Sequence, residues 1–113
     1  MPYQSKIRAS NPDRVTRNTT VSQALLDKIK LLAKNKQISF NQLLADGIDY
    51  VLKTYKKTAD FKAPDKPNDR VQMGTTFSEN QYNQLKNRAR SLRTHTNTLL
   101  EVGMEYVINK HKN

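Results

Sequence analysis

Cysteine is absent from all 113 residues, and with it go disulfide frameworks, thiolate zinc sites and thiol catalysis. Histidine occurs twice, at His95 and His111, with no carboxylates arranged around either, so general-base and metal chemistry lack a constellation. Glycine is almost as scarce: Gly47, Gly74 and Gly103 lie far apart, which excludes a phosphate-cradling loop. No apolar run approaches the ~18 residues of a membrane span, and the polar start, Met1 to Asn18, does not read as a signal peptide. Only 35% of residues are apolar, so any core must be built economically. These absences lead to the expectation of a cytoplasmic protein that is not an enzyme, holds no cofactor or metal and has no membrane partner.

What the chain has in excess is positive charge. Lys and Arg total 20 against 10 Asp and Glu, a formal net charge of +10, and the pI is about 10.0. In so small a protein this balance is the footprint of a polyanionic partner. The excess is evenly placed, with +4 on residues 14–53, +4 on residues 70–113 and +1 on each of 1–13 and 54–69.

That evenness reflects an internal repeat. Arg14–Lys53 can be laid over Arg70–Asn109 without a gap, and about a third of the aligned pairs are identical. Among them are Thr20/Thr76, Ser22/Ser78, Asn41/Asn97, Gly47/Gly103 and Tyr50/Tyr106. Two copies are too few for a solenoid, which needs at least about three, so a pair of related halves is expected.

Each half reads as strand, helix, helix. Residues 15–21 and 71–77 are rich in β-branched side chains and precede a serine suited to cap a helix, Ser22 or Ser78. Ser78 with Gln81, and Ser39 with Gln42, have capping-box spacing. The second helix of each half carries a broad apolar stripe, Leu43, Leu44, Gly47, Ile48, Val51 and Leu52, reproduced from Leu99 to Ile108. A glycine inside a helix costs roughly 1 kcal/mol against alanine, so its recurrence at 47 and 103 points to a close helix–helix approach. Residues 58–69, with Pro64, Pro67 and alternating charges, read as a linker, and residues 1–13 as a polar arm.

One half cannot stand alone. A lone strand leaves its backbone N–H and C=O groups unpaired, and so short a unit buries too little apolar surface. Antiparallel pairing of 15–21 with 71–77 resolves both problems. The expected fold is therefore mainly α with one two-stranded antiparallel ribbon, and residues 14–113 form one domain from units 14–57 and 70–113. Val15, Arg17, Thr19 and Val21 then share the inner face with Val71, Met73, Thr75 and Phe77. Thr16, Asn18, Thr20, Gln72, Gly74 and Thr76 face outward.

A short strand, a serine cap, a helix, a turn ending in Ser39 and a helix bearing Leu-Leu-x-x-Gly-Ile resemble the ribbon-helix-helix family of Arc and MetJ type. Both copies lie in one polypeptide, where most members of the family dimerise, and this tandem form is similar to that of plasmid relaxosome accessory proteins. The resemblance implies an intramolecular pseudo-dimer that binds double-stranded DNA, with the ribbon in the major groove and the six outward residues reading bases. It implies phosphate contacts at the starts of the second helices, Ser39, Phe40 and Asn41 in one half and His95, Thr96 and Asn97 in the other. Arg14, Arg17 and Arg70 flank the ribbon and belong to the same expectation. Gly74 has no side chain, so the half-sites are expected to be read unequally. Transcriptional repression and service at a plasmid transfer origin, with a relaxase or other plasmid protein as partner and cooperative self-association on adjacent sites, use the same contacts. The alternative is an antitoxin or plasmid-partition interaction module.

Overall fold

Two matching serines end the strands and start the helices. The computed structural model describes residues 13–112; all of the expected arm except Asp13 lies outside the described residues, as does Asn113. Along the chain run β1 (Arg14–Ser22), α1 (Gln23–Lys36), α2 (Phe40–Thr54), β2 (Arg70–Ser78), α3 (Glu79–Ser91) and α4 (Thr96–Lys110), with a 3-10 turn at Thr58–Asp60 between the halves. Among the described residues the protein is mainly helical, about 60%, with one two-stranded antiparallel sheet. Each strand is one residue longer at both ends than the β-branched run that predicts it.

The pairing of the strands brings equivalent residues of the two copies face to face at its centre. Asn18 stands opposite Gly74, with Thr16 opposite Thr76 and Thr20 opposite Gln72 on either side. The same happens in the helices. α2 and α4 cross so closely at Gly47 and Gly103 that a Cβ on either would stand 2.6 Å from the other's carbonyl oxygen. Both glycines are needed because the obstacle is backbone, which cannot rotate aside. Tyr50 and Tyr106 then stack with centroids 3.7 Å apart and planes within 5°.

A single core fills the space between sheet and helices. Val21, Leu26, Ile29, Leu43, Leu44, Ile48 and Val51 from the first half merge with Phe77, Leu85, Leu99, Leu100, Met104 and Val107 from the second. The halves contribute unequally on the inner strand face. Met73 is buried with 5% of its surface exposed, whereas Arg17 at the matching position is only half-buried. Its guanidinium lies 5.8 Å from the Tyr82 ring centroid, and Nη1 donates to the Thr16 carbonyl at 2.9 Å. The stem thus runs along the core edge with the charge left at the rim.

Helix starts follow the predicted serines, but the capping boxes do not close. The hydroxyls of Ser22, Ser39 and Ser78 accept from the backbone N–H of Leu25, Gln42 and Gln81. The glutamine side chains go elsewhere. Gln42 donates to Asp46 at 2.8 Å, and Gln81 reaches across to the Ala45 carbonyl of α2 at 3.0 Å. In both, the amide nitrogen is engaged by an acceptor one turn on or on the facing helix.

Both helix–helix turns use a left-handed residue that is neither glycine nor asparagine, Gln37 (φ 55°) and Arg93 (φ 59°). The next N–H in each, that of Ile38 or Thr94, bonds back to the Ala33 or Ala89 carbonyl, which closes the helix end and offsets the backbone cost.

The connection between the halves is partly fastened. Phe61 packs edge-on against Tyr55 with ring centroids 5.3 Å apart. Arg88 donates through Nη1 to the carbonyls of Leu52 and Tyr55 at 2.9 and 2.7 Å, tying α3 to the end of α2.

Candidate nucleic-acid interface

Alternation along a strand places every second side chain on the same face, and one face of this sheet is buried by the helices. Thr16, Asn18, Gln72 and Gly74 are exposed on the other face, with Thr20 and Thr76 half-buried toward its ends. All six outward positions therefore share a continuous surface. Its centre is occupied by one amide: Asn18 Oδ1 lies 2.5 Å from where a Cβ on Gly74 would sit. Asn18 takes the space that a second side chain would need.

The helix starts frame this surface. Ser39 is an exposed N-cap of α2, with Phe40 leaning on the core and Asn41 turned toward the sheet. The Asn41 amide accepts from Thr75 Oγ1 at 2.7 Å and donates to Thr76 Oγ1 at 3.2 Å. Asn97 at the start of α4 donates to Thr20 Oγ1 at 3.1 Å. Each second helix therefore holds the strand of the opposite half. His95 caps α4 in extended conformation without a side-chain hydrogen bond, and Thr96 follows half-buried. The N–H groups of a helix's first turn have no partners within the helix and carry the positive end of its dipole.

The three arginines expected beside the ribbon behave differently. Arg14 folds over the outward surface, its Nη2 donating to the Thr76 carbonyl at 2.7 Å and to Thr76 Oγ1 at 3.1 Å. Arg17 sits on the inner face at the rim, as described above. Arg70 turns away to Glu101, with Nη2 to Oε1 at 2.7 Å and Nε to Oε2 at 3.3 Å. The exposed fractions of these two side chains are 22% and 7%. The Glu101 hydrogen bond and charge raise the Arg70 pKa still further above its usual value, against the opposing effect of burial.

Glu101 also accepts from the backbone N–H of Ser22 at 2.7 Å, so one carboxylate fastens the end of β1, the start of β2 and α4 together. Sequence reasoning passed it over. The available signal was an acid inside an apolar stripe, at the position where the first copy has Ala45.

Asp69 is a second residue of this kind. Its carbonyl accepts from Gln23 N–H at 3.0 Å, and its carboxylate accepts from Ala24 N–H and the Ser22 hydroxyl, both at 3.1 Å. The Ala24 bond is the main reason its carboxyl pKa is lowered, with the Ser22 bond adding to it. In the other half the Asp13 carbonyl accepts from Glu79 N–H at 2.7 Å. Asp13 and Asp69 stand immediately before Arg14 and Arg70, so the repeat extends back past the start of the aligned segments to include them.

Among the described residues no cluster of three His, Cys, Asp or Glu is placed to hold a metal ion, and no helix is long and apolar enough to cross a membrane. Comparison with known protein families, with curated proteins and with solved structures finds no match.

Proposed function

We propose that the chain is an intramolecular pseudo-dimer of two ribbon-helix-helix units that binds double-stranded DNA in a sequence-dependent way, with its ribbon in the major groove. The observation that carries this reading is the outward face of the sheet, where Thr16, Asn18, Thr20, Gln72 and Thr76 stand together on a chain of net charge +10. The pseudo-dimer is supported by three meetings of equivalent residues: Asn18 with Gly74, Gly47 with Gly103, and Tyr50 with Tyr106.

Dimensions and chemistry agree with the proposal. Two strands about 4.8 Å apart, with their side chains, suit a groove about 12 Å wide. Amides of Asn18 and Gln72 match the N6/N7 edge of adenine, and threonines offer a hydroxyl or a methyl contact. The backbone N–H groups at Phe40, Asn41, Thr96 and Asn97, next to the caps Ser39 and His95, suit phosphates on either side. Arg14 and Arg17 add cationic groups at the rim. About six neutralised phosphates give a salt slope of about −5 in log K against log[salt].

The occasion for binding is proposed to be either repression of a promoter or assembly at a plasmid transfer origin. Footprinting on the DNA around the protein's own gene separates them, through protection of a promoter in one case and of the flank of a nick site in the other. Selection of duplexes from a random pool tests the reading itself. A defined consensus is expected, and binding with no sequence preference at any salt concentration rules it out.

A further inference from the structure

A hydroxyl has one hydrogen to donate and two lone pairs to accept with. Thr76 Oγ1 accepts from Arg14 Nη2 at 3.1 Å and from Asn41 Nδ2 at 3.2 Å. Both lone pairs are occupied, and only the O–H is left for anything arriving from outside. Thr20, its counterpart in the first copy, accepts from Asn97 Nδ2 alone among the described residues. The cation that would complete the set is Arg70, which stands in the register beside Thr20 as Arg14 stands beside Thr76. Arg70 is held by Glu101 instead. No such capture happens to Arg14, because Ala45 occupies the position matching Glu101.

We propose that Arg14 and Asn41 are positioning residues that fix Thr76 as an obligate hydrogen-bond donor, while Thr20 remains free to donate or accept, so that one half-site is read more stringently than the other. The inference rests on the DNA reading above and gives it a chemical content. In the major groove guanine N7 and O6, adenine N7 and thymine O4 accept, whereas the only polar group of cytosine is the N4 donor. Thr76 therefore rejects cytosine on the strand it faces, and Thr20 admits it. Glu101, whose hydrogen bonds go to Arg70 and the Ser22 N–H, sets this difference by holding one arginine back.

The test is selection of binding sites by the full chain from a random duplex pool, with melting curves for every variant. The base positions facing the two threonines are those whose preference changes in Thr76→Val and in Thr20→Val. Wild type is expected to deplete cytosine about tenfold at the first position, the scale of one unfavourable base pair, and to show no such depletion at the second. Arg14→Ala with Asn41→Ala should erase that depletion; losing the Arg14 cation weakens binding to all sequences together, and base preference elsewhere in the site stays as in wild type. Loss of stability alone weakens all sequences together and does not produce this pattern. Glu101→Gln keeps an acceptor for the Ser22 N–H but gives up the charge that holds Arg70, and is expected to create cytosine depletion at the second position. If the double variant does not fold, Arg14→Ala alone, which frees one lone pair of Thr76 Oγ1, must still abolish the depletion. Equal cytosine tolerance at both positions in wild type, or depletion that survives Arg14→Ala, overturns the assignment while leaving DNA recognition standing. A wild-type protein that enriches no sequence at all overturns the DNA reading and this assignment with it.

Discussion

The two ends of the ribbon are made from matching residues and are fastened by different means. At one end Arg70 and the Ser22 N–H converge on the buried Glu101. At the other, Arg14 lies over Thr76, and the facing helix offers Ala45, whose carbonyl takes a bond from Gln81. The middle of the molecule has changed far less. Gly47/Gly103 and Tyr50/Tyr106 touch their own counterparts, so any change there meets a fixed obstacle, whereas each ribbon end has separate neighbours and is free to diverge. Asn18 and Gly74 obey the same rule in the opposite direction. They face one another too closely for two side chains, and one has given way.

The largest effect should come from breaking the fastened end. Glu101→Ala leaves Arg70 without its partner and the Ser22 N–H buried without an acceptor, and is expected to cost about 3 kcal/mol in urea unfolding. Arg14→Ala at the other end should cost under about 1 kcal/mol, since its bonds lie nearer solvent. Equal losses at the two ends would erase the contrast.

The helix crossing is expected to respond symmetrically. Gly47→Ala and Gly103→Ala should each carry an overpacking cost of about 1–3 kcal/mol, because backbone must separate to admit the methyl group; less the roughly 1 kcal/mol that alanine gains in helix propensity, each is expected to destabilise by up to about 2 kcal/mol. A difference of more than about 1 kcal/mol between the two, beyond the ordinary scatter of overpacking costs, would show that the crossing is not shared equally.

Asn18→Ala should leave thermal stability within about 0.5 kcal/mol and, on the proposed function, flatten base preference at the centre of the selected site. An unchanged consensus would remove Asn18 from the reading surface.

The smallest effect concerns acid. The folded-state pKa of Asp69 lies below the ordinary carboxyl value of about 3.9, so its contribution is fully present above that value and is lost as pH falls through the lowered pKa. The melting temperature should drop more steeply below about pH 4 in wild type than in Asp69→Asn, which keeps the carbonyl for Gln23 and lacks the titrating group. Parallel curves would show that the carboxylate does not hold the start of α1.

Much of the fold was legible because the chain states it twice. Alternating Val and Thr before a serine, a stripe with glycine at its centre and a constant offset between the two copies were enough to place both strands, four helices and the crossing. The turns at Gln37 and Arg93 gave no glycine or asparagine as warning, and Gln81 of the second capping box was drawn to the Ala45 carbonyl, a partner invisible in local spacing. The candidate surface was legible in its membership, since period-two alternation selects the six outward positions. Its internal connections were not. Asn41 and Asn97, read as phosphate contacts, have side chains bonded to the threonines of the opposite strand, and Arg70, read as flanking DNA, is paired with an acid on the last helix.

Periodicity and repetition by themselves determined which residues lie on strands and helices, which faces are apolar and which positions are equivalent, because these follow from local backbone geometry. Tertiary structure alone decided how equivalent positions come to differ. Whether an arginine lies across a threonine hydroxyl or turns to a buried carboxylate depends on a side chain from another helix, and neither strand carries any mark of that neighbour.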